Sequence, residues 1–179
     1  MEDARRDRPW KGAIACHTLE LLALAIWIGG LAIILGGLIP EAFNLGMETG
    51  GRLLTRVFGR YNMLVLGAMG VLIGMASLRT WVSVRHGHAA VSLTLPEWSL
   101  LGLMMVLALT LTFVLFPSSI QMQEQAFAAN SEDAKQDAYK AFFRSHNLVR
   151  ILYLVNLGLG IALVTVKIRG WVHQRSTTA

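Results

Sequence analysis

Charge is scarce in this chain. Charged residues make up 15% of its 179 residues, against about 25% in a soluble domain, which is too few to solvate a globular surface of this size. Cysteine is nearly absent. Cys16 stands alone, so no internal disulfide can form, and a thiolate metal cluster or dithiol redox pair is disfavoured; Cys16 reads as a small buried residue. No phosphate-cradling loop, nucleophile elbow or zincin helix occurs, so the chain reads as more a non-enzyme than an enzyme. Nucleic acid is not an expected partner either. The net charge of +5 sits beside apolar runs, and the aromatics flank those runs instead of alternating with Lys and Arg. Low-complexity segments and repeats are also missing.

Apolar sequence is what the chain has in abundance, at 54% hydrophobic residues. Four runs, 13–38, 64–82, 98–116 and 148–166, approach or exceed the roughly 20 residues that cross a hydrocarbon core as a helix. Backbone groups in lipid must be satisfied within the segment, and four spans are too few to close a barrel. The expectation is an all-α integral membrane four-helix bundle, one domain over 1–179. The first run is longer than the h-region of about 7–15 residues in a secretory signal and is read as a retained span.

The tryptophans support this count. Trp10, Trp81, Trp98 and Trp171 flank the four spans and, with alternating spans, fall on one membrane face as half an aromatic belt. The same face carries Arg5, Arg6, Arg8, Lys11, Arg79, Arg85, Lys167, Arg169 and Arg175 on short segments. The positive-inside rule then places both termini in the cytoplasm, and the expected location is an inner, or plasma, membrane. The opposite face holds the longer connections. Within 40–62, Leu53, Leu54, Val57 and Phe58 suggest a short amphipathic helix at the interface. After span three, Pro117 is expected to bend or break the helix. Helical sequence resumes on both sides of Asn130 and Ser131, with Ser131 as a cap ahead of Glu132 and Asp133. A helical extramembrane hairpin between spans three and four follows.

Ionisable residues inside lipid-spanning helices are functional candidates. His17, Glu20, Leu24 and Trp27 share one face of span one at about 100° per residue. By helical rise, Glu20 lies about 27 Å from the outer end of span one, and Arg79 about 23 Å along span two from that same side. The candidate polar site is therefore His17, Glu20, Trp27 and Arg79. It reads either as a Glu20–Arg79 ion pair that joins two spans, which is the reading adopted, or as a proton-carrying or ligand-binding site. His146 stands at the outer entrance to span four as an interfacial residue, a ligand or a proton donor. Asn156 lies deeper, where an amide usually bonds a neighbouring helix. His86, His88 and His173 read as solvent-facing, and no metal site is assigned. His17 and His146 lie near opposite faces and cannot bracket one haem iron. Gly67, Gly70 and Gly74, with Ser77, form a small face on span two. Packing within the bundle is the reading adopted; a seam for a homodimer or a membrane-protein partner is the alternative.

Several short motifs carry a resemblance. Span one reads Trp27-Ile28-Gly29-Gly30, followed by Pro40 and Phe43; span three ends in Phe116-Pro117; span four opens with Phe143-Arg144-Ser145-His146. Over most of its length the chain resembles the bacterial members of the transmembrane protein 205-like family, four-helix membrane proteins without an established activity. That resemblance implies fold and location, and it marks Trp27, Gly29, Gly30, Pro40, Phe43 and His146 as recurrent positions. A looser similarity reaches the D-type copper-resistance membrane proteins and the four-helix protoporphyrinogen oxidases. Those place a histidine seven residues before the span-one tryptophan; here the slot is Glu20. The eight methionines form no dense Met/His cluster. The leading expectation is a non-enzymatic component with no cofactor, either transport-related or an accessory subunit of a larger membrane complex. The alternative is a redox or porphyrin-handling protein that uses His17 and Glu20, with haem b as its cofactor.

Overall fold

In the computed structural model, the described residues are 11–86, 93–128 and 132–176. All of its regular structure there is helical. Helix α1 (Lys11–Ile33) passes through a π-helical turn (Ile34–Leu38) into α2 (Ile39–Asn44). Helix α3 (Met47–His86) returns. Helix α4 (Leu95–Thr110) passes through a second π-helical turn (Leu111–Leu115) into α5 (Phe116–Ala128), and α6 (Glu132–Ser176) completes the bundle. Four helical stretches are long and apolar enough to cross a membrane: Ile14–Asn44, Met47–Arg85, Leu95–Ala128 and Phe142–Gly170. The protein is an integral membrane four-helix bundle.

Its exterior is apolar, as lipid requires. Leu22, Ile33, Val106, Phe113 and Ile151 are exposed. Hydroxyls facing the same surroundings satisfy themselves locally: Thr18, Thr110 and Thr165 each donate to the carbonyl four residues earlier. Inside, α1 packs on α3, α4 and α5 pack on α6, and α1 also meets α6. The core runs along Ala23, Trp27 and Leu31 on α1, Val65, Leu72 and Ala76 on α3, Met104 and Ala108 on α4, and Leu163 on α6. Close approach is allowed where glycine faces a neighbour. A Cβ on Gly160 of α6 would sit 2.7 Å from the Ile28 side chain of α1. The turn between α2 and α3 depends on Gly46, whose φ of 85° lies in the left-handed region that glycine adopts freely.

Both π-helical turns precede a proline. A proline ring clashes with the carbonyl four residues earlier, here that of Gly36 for Pro40 and of Phe113 for Pro117. Those carbonyls belong to the widened turns, which close through Ile39 N–H to the Ile34 carbonyl and Phe116 N–H to the Leu111 carbonyl. The helix therefore passes Pro117 by widening and does not break there. Beyond it, α5 and α6 pack on one another as a helical hairpin. Helix α6 has 45 residues, about 68 Å at 1.5 Å each, against a hydrocarbon core of about 30 Å. The proposed Ser131 cap lies outside the described residues.

Two expectations are corrected. No separate interfacial helix exists near Leu53; α3 is continuous from Met47, and Leu54 and Phe58 are core residues, Phe58 stacking on Tyr153 of α6. Gly67, Gly70 and Gly74 do not pack inside the bundle. They are exposed, with nothing within 4 Å of a Cβ built on any of them. The buried seam of α3 is Tyr61, Val65, Ala68, Leu72, Ala76 and Arg79, and the small residues occupy the opposite side.

Candidate functional site

Four helices deliver charge to one buried point near the end of the bundle that carries Trp81 and Trp98. Glu20 comes from α1, Arg79 from α3, Glu97 from the first turn of α4 and Lys167 from the last turns of α6. Glu20, Arg79 and Lys167 are 1%, 3% and 4% exposed, so water cannot compensate their charges and each must be paired within the protein. Arg79 Nη1 donates to both carboxylate oxygens of Glu20, at 3.1 and 2.9 Å. Lys167 Nζ donates to Glu20 Oε2 at 2.6 Å and stands 3.5 Å from Glu97 Oε1. His17 Nδ1 is 3.8 Å from Glu20 Oε2, one turn back on α1. Two carboxylates thus face two cations, with His17 at the edge.

Glu97 serves two elements at once. Its Oε2 accepts the Thr94 backbone N–H at 2.8 Å and the Thr94 hydroxyl at 3.0 Å, closing the first turn of α4. Its other oxygen faces Lys167. The helix start and the ion network therefore share one carboxylate. Just outside, the Arg85 guanidinium lies over the exposed Trp81 ring at 5.0 Å, a cation–π contact at the end of the bundle.

A second polar layer lies further along the bundle. The Tyr61 hydroxyl donates to the Trp27 carbonyl at 2.8 Å, and the Tyr153 hydroxyl donates to Asn62 Oδ1 at 3.1 Å. Asn156 is buried beside them. A cavity of about 10 Å³ is bounded by Trp27, Tyr61, Asn62, Thr112, Tyr153 and Asn156.

The third layer is at the hairpin end. A cavity of about 70 Å³ lies among Leu54, Phe58, Phe116, Ser119, His146 and Tyr153. Phe58 stacks on Tyr153, centroids 5.1 Å apart, and Phe142 stacks on His146 at 5.7 Å. Polar groups interrupt this apolar wall. The Thr55 hydroxyl donates to Gln123 Oε1 at 2.8 Å. The Ser119 Oγ is buried and has no hydrogen-bond partner among the described residues.

Of the residues singled out from sequence, His17, Glu20 and Arg79 converge. Trp27 does not join them; it is buried in the middle layer, where its carbonyl serves Tyr61. His146 lines the hairpin-end cavity. Gly30 lies against the Tyr61 ring, where a Cβ would come within 3.0 Å. Gly29 has no such neighbour, Pro40 opens α2, and Phe43 is exposed. Cys16 is buried. The side chains of His86, His88 and His173 lie outside the described residues. Lys167 and Glu97 were not anticipated. Lys167 reads as a topology charge until its depth is compared with that of Arg79, and the Thr94-to-Glu97 spacing of a capping box was the signal for Glu97.

A family model for a domain of unknown function, DUF4149, matches residues 22–128. The chain belongs to the DUF4149 family. The matched stretch contains Trp27, Gly29, Gly30, Pro40, Phe43, Asn62, Arg79 and Glu97, and stops before the helix that supplies His146, Asn156 and Lys167. No curated protein and no solved structure matches the chain. The DUF4149 segment thus carries Arg79 and Glu97 of the ion network, while Glu20 and Lys167 flank it.

Proposed function

We propose that this DUF4149 protein is a non-enzymatic membrane component that receives a small, mainly apolar ligand in its hairpin-end cavity, as a transport-related protein or an accessory subunit. The observation that carries this reading is the cavity itself: about 70 Å³ of aromatic-lined space beside the buried Ser119 hydroxyl, which has no hydrogen-bond partner among the described residues. Apolar pockets with a few convergent polar groups are the usual form of small-molecule sites. The ion network supports the same division of labour, because it ties all four spans at the opposite end. Glu20, the acid of the porphyrin-handling alternative, is already engaged by Arg79 and Lys167. We read the chain as a transmembrane protein 205-like member, on the motifs from Trp27 to His146, and assign it to a bacterial inner membrane with both termini cytoplasmic. The exposed Trp81 and Trp98 near one end of the bundle and the basic residues of that face support the orientation.

Binding is testable with phenol, which combines an apolar ring with one hydroxyl. In lipid nanodiscs, phenol is expected to shift the His146 ring resonances saturably. Ser119→Leu should abolish that response, since the larger side chain fills the cavity. The same substitution removes an unpaired buried hydroxyl and should raise stability by about 1 kcal/mol. A linear response, equal in both proteins, would reflect partition into lipid and would defeat the reading. Orientation is checked with reporter fusions: one at Ala90 is expected on the cytoplasmic side and one at Ala129 on the opposite side.

A further inference from the structure

The middle layer holds a donor and an acceptor that do not meet. Asn62 is 4% exposed and Asn156 is 2% exposed. Asn62 Oδ1 accepts the Tyr153 hydroxyl, which orients the amide so that Nδ2 points elsewhere. Asn62 Nδ2 and Asn156 Oδ1 are both buried without a hydrogen-bond partner among the described residues. Both residues line the same cavity, of about 10 Å³. That is about the space one water needs. Thr112 borders it too, from the π-helical turn that widens the helix there.

An orphan N–H and an orphan carbonyl across a water-sized gap, inside a membrane bundle, are each costly when left alone. One molecule with both donor and acceptor capacity satisfies them together. We infer that this cavity is a binding site for one structural water, which accepts from Asn62 Nδ2 and donates to Asn156 Oδ1. The water completes a chain that runs from the Tyr153 hydroxyl through the Asn62 amide to Asn156, and so joins α3 to α6 at two successive turns of α6. Tyr153 also borders the hairpin-end cavity. The water site nevertheless rests on the two amides alone and does not depend on ligand binding there.

The test uses full-length protein in nanodiscs of deuterated lipid, with asparagine side chains labelled with ¹⁵N. The Asn62 amide peak is identified by its disappearance in Asn62→Asp. Magnetisation transfer from water to the Asn62 Nδ2 protons is expected in the wild type, with the sign of a long-resident water. In Asn156→Leu the transfer should be lost, because the acceptor is gone and the leucine occupies the space. Ser119→Leu should leave it unchanged, which separates this site from the hairpin-end cavity. No transfer in the wild type would overturn the inference, and that arm decides even if Asn156→Leu fails to fold. Transfer that persists unchanged in a folded Asn156→Leu protein would overturn it as well.

Discussion

Glu20→Ala is expected to be among the most damaging single substitutions in the chain. Removing the carboxylate strands two buried cations, Arg79 at 2.9 Å and Lys167 at 2.6 Å. Glu97 takes up little of the deficit. It is 3.5 Å from Lys167, and its other oxygen is committed to Thr94. Breaking a buried pair by deleting one partner costs about 3–5 kcal/mol, and here one deletion breaks two pairs. The loss should lie in that range or above it, measured by unfolding in nanodiscs or by steric trapping. Glu20→Gln should fall between, because an amide oxygen still accepts from Arg79. Lys167→Met should cost less than Glu20→Ala, since Glu20 keeps Arg79. A Glu20→Ala loss below about 1 kcal/mol would indicate that solvent or lipid headgroups reach the cations.

Trp27→Ala is the second large effect. The ring is 2% exposed in the centre of the core and borders the middle cavity. Between membrane helices, association rests on packing and interhelical hydrogen bonds, with no hydrophobic drive from lipid. Truncation therefore acts through lost van der Waals contact and the void left behind. Large aromatic-to-alanine changes in cores cost about 3–5 kcal/mol, and a loss toward that range is expected here. Trp27→Phe should cost clearly less, and far-ultraviolet circular dichroism should show intact helices in both variants. Equal, small losses in thermal unfolding would place the ring against lipid and contradict the packing described.

The fold was legible because the membrane imposes it. Length and apolarity identify spans, and 1.5 Å of rise per residue was enough to bring Glu20 and Arg79 to one depth. The same arithmetic applied to Lys167 would have found the second cation. A lysine at a span end fits the positive-inside pattern equally well, and that hides its buried role. Gly67, Gly70 and Gly74 show a deeper limit. In a soluble helix the apolar stripe marks the buried side. In a membrane helix both sides are apolar, so periodicity finds a face without saying what it faces. On α3 the polar residues carry that information: Tyr61, Asn62 and Arg79 lie on the buried seam, and the glycines lie opposite. The cavities were beyond reach for another reason. They depend on how α5 and α6 meet α3, and on π-helical turns marked in sequence only by the prolines that follow them.

Residues from all four spans meet at Glu20 and Lys167, and the account stands on their acting as one network. A double-mutant cycle on Glu20→Gln and Lys167→Gln, read by unfolding in nanodiscs, tests this most directly. Partners in one buried network couple by about 0.5–3 kcal/mol, and a 2.6 Å pair buried from water should fall in the upper half of that range, with the double variant less damaged than the sum of the singles. Losses that add within about 0.5 kcal/mol would mean that the two side chains are independent, and the ionic closure of this end of the bundle would be contradicted.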